Sequence, residues 1–133
     1  MYIPDTNTWI RFLNPEPNPA KKRLCSTDPA CLRFCSVVKA ELYFGAENSA
    51  RKSENLANLD DLFAGIESLP FDDRAAVEYG KIRADLKRAG APIGPNDLMI
   101  ASVALVHQAV LITHNVREFS RVEGLQIEDW EME

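Results

Sequence analysis

Between Leu98 and Thr113 the chain is apolar on almost every face, and this stretch constrains the fold more than any other. Leu98, Met99, Ile100, Ala101, Val103, Ala104, Leu105 and Val106 leave no polar side to a helix predicted over 97–108. Such a helix is stable only when buried. The run Val110-Leu111-Ile112-Thr113 follows directly, and a continuous apolar strand suits a parallel sheet covered on both faces. The two together require layers of structure on either side of a sheet.

The rest of the chain supplies those layers. Strand signals at 2–4, 33–37, 68–71 and 125–127 alternate with helical patterns at 8–13, 20–26, 36–45, 50–66 and 72–89. Leu56, Leu59, Leu62, Phe63 and Ile66 recur at three-and-four spacing, one face of a helix. Ser36 and Asn96 are placed to cap helices, as is Asp72 or Asp73, and Gly45 and Gly90 to end them. Pro4 lacks an N–H and is predicted to end the pairing of the first strand. Alternating strands and helices predict an α/β fold with a mainly parallel sheet, as one domain over 1–133.

The net charge of -5 argues against a protein that grips nucleic acid by bulk charge. Local basic clusters remain at Lys21-Lys22-Arg23, at Arg51-Lys52 and at Lys81, Arg83, Lys87 and Arg88, each explicable as a solvated helix face. The acidic tail, Glu128, Asp129, Glu131 and Glu133, reads as solvated, with Trp130 docking it. Cys25, Cys31 and Cys35 form no C-x-x-C pair and read as reduced, partly buried thiols. No apolar run is long enough to span a bilayer and no secretory leader is evident, so a cytoplasmic location is expected.

Three acids stand in apolar settings. Asp5 follows the first strand, Glu41 lies in Val37-Val38-Lys39-Ala40-Glu41-Leu42-Tyr43-Phe44, and Asp97 precedes Leu98. A charge in such a place is costly unless compensated. In an open parallel sheet, sites lie beyond the carboxyl ends of the strands, where Asp5 and Thr113-His114-Asn115 both fall. Grouped carboxylates offer hard oxygen ligands suited to magnesium or manganese. With such a cation they can bind and hydrolyse a phosphodiester. Thr6 or Thr113, Asn7 and Asn115 could orient them through neutral hydrogen bonds. Each acid also has a structural explanation: Asp5 as a helix cap, Asp97 in favour of a helix dipole, Glu41 as a solvent-facing neighbour of Lys39. Asn7 in the second place of D-x-D cannot serve as the general acid of an aspartyl-phosphate phosphatase. Neither G-x-G-x-x-G nor G-x-x-x-x-G-K-[ST] is present.

Four stretches then carry a likeness. Asp5-Thr6-Asn7-Thr8-Trp9-Ile10, Ala40-Glu41-Leu42-Tyr43-Phe44-Gly45-Ala46, Pro95-Asn96-Asp97-Leu98-Met99-Ile100-Ala101 and Thr113 through Val122, in that order, resemble the PIN-domain ribonucleases. Within them the match is to the VapC-type toxins of toxin–antitoxin pairs. The resemblance implies a three-layer α/β/α PIN-like domain and a Mg2+- or Mn2+-dependent endoribonuclease acting on tRNA or another structured RNA. It implies Asp5, Glu41 and Asp97 as metal ligands, with Thr6, Asn7 and Asn115 orienting the site and Arg117 and Arg121 holding phosphates. Many PIN domains carry a fourth acid where this chain has Asn115, and Glu118 one turn on is expected to supply that charge. A cognate VapB-type antitoxin and a homodimer are also implied, with the two helices between Ala50 and Ala89 as a clip for the antitoxin. The alternatives are a PIN-like protein-binding module with an impaired site, favoured by Asn115, and cleavage of DNA or flaps, for which the chain leaves little room.

Overall fold

The computed structural model describes residues 1–132; Glu133 lies outside the described residues. Among the described residues five strands, β1 (Tyr2–Pro4), β2 (Phe34–Cys35), β3 (Ser68–Leu69), β4 (Val110–Ile112) and β5 (Gln126–Glu128), alternate with seven α-helices. The helices are α1 (Thr6–Leu13), α2 (Pro19–Cys25), α3 (Ser36–Glu47), α4 (Lys52–Ala64), α5 (Asp73–Arg88), α6 (Pro95–Val106) and α7 (Val116–Phe119).

All strand pairs are parallel. β1, β4 and β5 form one ladder and β2 and β3 another. A bridge between Tyr2 and Leu32, with the Arg33 N–H donating to the Tyr2 carbonyl at 2.9 Å, joins them in the order β3–β2–β1–β4–β5. Leu111 and Ile112 point to opposite faces of the sheet and neither reaches solvent. Both faces are therefore covered, as the apolar run predicts. α6 is likewise buried from Leu98 to Ala104 apart from Met99, and its one buried hydroxyl, Ser102, donates back to the Leu98 carbonyl at 2.7 Å. Trp9 of α1 stacks on Phe34 of β2 with centroids 4.5 Å apart, which fixes α1 against the sheet.

The pairing of β1 ends at Pro4, as expected. Pro4 lies opposite Ile112 as the last pair of the ladder, closed by the Asp5 N–H donating to the Ile112 carbonyl at 2.8 Å. In a parallel ladder alternate residues bond to alternate neighbours. Met1 and Asp5 bond towards β4, while Tyr2 bonds towards β2. The missing N–H of Pro4 thus faces the β2 side, where the register of the Tyr2–Leu32 bridge puts Phe34 opposite it. Several helix boundaries differ from expectation. α1 begins at Thr6, because Asp5 caps it through Thr8. α3 begins at Ser36 itself, with Cys35 as its cap residue, and runs through Gly45 to Glu47. Gly94 rather than Asn96 caps α6, since Pro95 occupies the first helical position. That helix stops at Val106, and Gln108 turns the chain into β4 with φ 52°.

No helix among the described residues is long and apolar enough to cross a membrane. Cys25 and Cys31 are exposed and only Cys35 is buried, so the first two are not the partly buried thiols expected. The tail is not solvated as a whole. Trp130 is 3% exposed and packs edge-on to Tyr2 at 5.2 Å, with the Arg23 guanidinium over its ring. Asp129 and Glu131 are largely covered and paired with His114 and Arg11.

Candidate active site

β1 ends at Pro4, so Asp5 stands at the carboxyl edge of the sheet and caps α1 at the same time. Its Oδ1 accepts from the Thr8 N–H at 2.8 Å and from the Thr8 hydroxyl at 2.7 Å. Its Oδ2 accepts the Thr113 hydroxyl at 2.6 Å across 108 residues. A carboxylate offers about four acceptor sites. One on Oδ2 is left, directed by Thr113. Thr113 is completely buried at the end of β4 and also accepts the Asn115 N–H at 3.0 Å. Burial pushes the Asp5 carboxyl above its ordinary range; the bonds from Thr113 and Thr8 oppose this and the charge of Glu131 adds to it.

Glu41 is held beside this edge. In α3, Val38, Leu42 and Ala46 face inward at four-residue spacing, which leaves Glu41 half-buried on the border of that face. Its Oε1 accepts the Thr6 hydroxyl, and its Oε2 lies 3.4 Å from the Asn96 amide of α6. Lys39, its expected neighbour on a solvent face, instead lies over the Phe34 and Phe63 rings.

Asp97 occupies the first turn of α6 and is half-buried. Its carboxyl is raised to about 6, first by burial and then by the charges of Glu118, Glu41 and Asp5. Glu118 of α7 is not a solvated partner of Arg117 or Arg121: its Oε1 accepts the Gly94 N–H at 3.1 Å and its Oε2 the Asn115 amide at 2.7 Å. Asn115 therefore orients Glu118 rather than Asp5.

The fold brings Asp5, Glu41, Asp97 and Glu118 onto one crevice from four separate elements. Thr6 and Asn115 each hold one acid, and Asn7 lines the open side with Thr6, Glu41 and Asn96 around a cavity of about 750 Å³. No three of these acids have ligand atoms within 4.8 Å of one another; among the described residues only His114, Asp129 and Glu131 do. That second cluster was not foreseen, because nothing in the sequence links His114 to residues fifteen or more positions away. It carries its own basic groups: the His114 Nδ1 lies 3.0 Å from Asp129 and 3.3 Å from Glu131, and the Arg11 Nε lies 3.0 Å from Glu131. Among the described residues no cation lies within 4 Å of the four acids of the crevice, and their oxygen-only donors suit a hard divalent ion.

A second groove opens from the crevice. Ile10 and Leu13 of α1, Leu42 and Ala46 of α3 and Asn58 and Leu59 of α4 line it. Ile10 and Leu13 in its wall are 50% and 40% exposed, and Phe44 of the adjoining crevice is 71% exposed, an apolar surface uncommon on a protein without a partner. α4 packs on α3 and α5 on α6, so of the two helices expected to form a clip only α4 borders this groove.

A family profile described as "PIN domain" matches residues 2–125. The chain is 39% identical over 130 residues to a tRNA(fMet)-specific endonuclease VapC of Salmonella typhimurium, with 97% of each chain covered. It is 33% identical over 132 residues to a ribonuclease VapC2 of Rickettsia felis, with 98% of each covered. The fold superposes on the DNA-bound VapBC structure from Salmonella typhimurium with a TM-score of 0.89 at 38% identity, covering 97% of each chain.

Proposed function

We propose, from the premise that this chain belongs to the PIN-domain family and within it to the VapC ribonucleases, that Asp5, Glu41, Asp97 and Glu118 form the site at which it cuts RNA. The chain is an endoribonuclease toxin, and its four acids are the groups that act. The observation that carries the site is the convergence of these acids from separate elements, Asp5 fixed by Thr113, Glu41 by Thr6 and Asn96, and Glu118 by Gly94 and Asn115. In keeping with it, burial and then the other three acids raise the Asp97 carboxyl among them to about 6.

Asp5, Asp97 and Glu41 would hold a divalent cation, magnesium or manganese. When bound, the ion supplies neutralisation of the phosphodiester charge and eases ionisation of the attacking water. The chain's own residues do the positioning. Thr113 and Thr8 fix the Asp5 carboxylate and leave one lone pair of Oδ2 for the crevice. Thr6 and Asn96 fix Glu41. Asn115 and the Gly94 N–H fix Glu118, which takes the fourth place. Asn7, on the open edge, faces the substrate. Arg117 and Arg121 hold flanking phosphates without carrying sequence information. The module with an impaired site loses its support, because Asn115 serves an acid instead of replacing one.

The substrate is a structured RNA with exposed loop bases, tRNA first, as the relatives' names suggest. The partner is a VapB-type antitoxin, in keeping with the VapBC complexes among the structural neighbours. Its chain fits the apolar groove between α1, α3 and α4, from which a basic side chain can reach the carboxylates and take the place of the cation. A homodimer and a single domain over 1–133 complete the proposal.

The test is incubation of antitoxin-free protein with total RNA and magnesium or manganese, then with chelator, beside Asp5→Asn. Cleavage by wild type alone, lost with chelator, is expected. Equal cleavage by Asp5→Asn, or cleavage indifferent to chelator, contradicts the site.

A further inference from the structure

Beside the acid crevice lies a second, differently built cleft. It holds about 290 Å³ between α5 and the segment leading into α6, and its walls include Tyr79, Arg83, Lys87, Ile93 and Pro95. Tyr79 is half-buried and held edge-on by Phe71 at 6.0 Å. Its hydroxyl accepts Arg83 Nη1 at 3.0 Å, and the guanidinium carbon lies 5.9 Å from its ring centroid. An aromatic ring and a guanidinium plane held together make a stacking platform, with the cation able to meet either a base or a phosphate.

The cations of this cleft are not neutralised by acids of the chain. In a net-negative sequence, six of the fifteen Lys and Arg side chains, Arg11, Arg23, Arg33, Arg51, Lys52 and Arg88, have a carboxylate within 4 Å. Among the described residues, Arg83 and Lys87 have none, nor does Arg121, whose guanidinium holds the Pro92 carbonyl at the cleft's other wall. The cleft also adjoins the reacting centre. Pro95 lines it, and Gly94, the residue before, donates to Glu118, while Asp97 projects from another face of the same first turn.

We infer that Tyr79, Arg83 and Lys87 form a nucleotide subsite, which takes one unpaired base of the RNA next to the scissile phosphate. This rests on the ribonuclease reading of the neighbouring acids and adds the residues that select an unstacked nucleotide over a duplex. Tyr79 and Arg83 stack on the base, and Lys87 meets its phosphate. Base stacking on an aromatic tolerates any sequence, so the subsite demands single-strandedness and leaves base identity to other contacts. A paired base cannot enter without leaving its helix.

The experiment measures binding of a fluorescent stem–loop RNA and of a blunt duplex of equal length to the full chain carrying Asp5→Asn. Tyr79→Ala with Arg83→Ala is expected to weaken stem–loop binding about tenfold and duplex binding far less. Tyr79→Phe, which keeps the ring but loses the hydroxyl that holds Arg83, keeps more affinity than Tyr79→Ala. Lys87→Ala lowers the salt dependence of log K by about 0.7. In the otherwise native chain the double substitution raises KM and leaves kcat within about twofold, the signature of uniform binding. Unchanged stem–loop affinity in a variant that still melts cooperatively overturns the subsite. So does equal loss on stem–loop and duplex. A changed oligomeric state with RNA affinity intact gives the face to a second copy of the chain and overturns it too. Cleavage of the probe by the Asp5→Asn chain is a separate failure, of the acid site and not of the cleft.

Discussion

Asp5 performs three tasks with one carboxylate. It caps α1, receives the end of β4 through Thr113, and keeps one acceptor position for the crevice. Its capping role and its site role are the same geometry, since the cap bonds aim the free lone pair. Removing the Thr113 hydroxyl while keeping the shape, Thr113→Val, is expected to reduce cleavage about 10- to 100-fold, the usual cost of losing a partner that orients a ligand. Folding should persist, because Thr113 is otherwise packed like an apolar residue; a rate assay with a melting curve checks both. Asp97 makes the complementary prediction. Its folded carboxyl is raised from 3.8 to about 6, so the fold favours the protonated form. The cost of its charge is absent below about pH 4, grows as pH rises, and is complete above about pH 6. In chelator near neutral pH, Asp97→Asn is therefore expected to be more stable than wild type, by about 1 kcal/mol once partial exposure is discounted. At pH 4 the two should melt together, and thermal melts across that range test it.

At the scale of elements, the site depends on what fixes the sheet's carboxyl edge. The tail does part of this work. Trp130 anchors it against Tyr2 of β1, and Asp129 and Glu131 close on His114 at the end of β4. Trp130→Ala should cost about 3 kcal/mol by denaturant melting, as for other buried tryptophans. The His114 contact is pH-dependent in a stated direction. The bond to Asp129, then the charges of Asp129 and Glu131, raise its imidazole above 6.5, so the folded state favours the imidazolium. This contribution is present below about pH 6.5 and is lost as pH climbs through the raised value. Exchange protection of the Trp130 indole should fall in His114→Gln at pH 6 and be unchanged from wild type at pH 9. Equal protection at pH 6 would remove His114 from the tether. The elements also explain where sequence reasoning failed. Asn96 reads as a cap by residue type, but Pro95 fixes the first helical position one residue earlier and releases the Asn96 amide towards Glu41.

For the molecule as a whole, the layered α/β architecture follows from one apolar helix and one apolar strand, and the order of the four motifs fixes the family. Asp5, Glu41 and Asp97 were legible because each charge sits in a hydrophobic setting that a soluble surface does not explain. Glu118 was legible only through resemblance, and its support by Gly94 depends on a contact across 24 residues. The His114–Asp129–Glu131 tether was not legible, since an acidic tail has the same composition whether solvated or paired. The Tyr79–Arg83 cleft was visible only as a basic helix face, and the burial of Tyr79 beside it gives that face a shape. The central claim is that four acids from distant elements share one crevice and one cation. The most direct test is a carbon-detected titration of the Asp97 carboxyl with and without magnesium. The account predicts a pKa of about 6 in the free protein, falling below the ordinary carboxylate range when magnesium saturates the site, with Asp5→Asn abolishing the magnesium effect. An Asp97 that titrates at its ordinary value and ignores magnesium would contradict it.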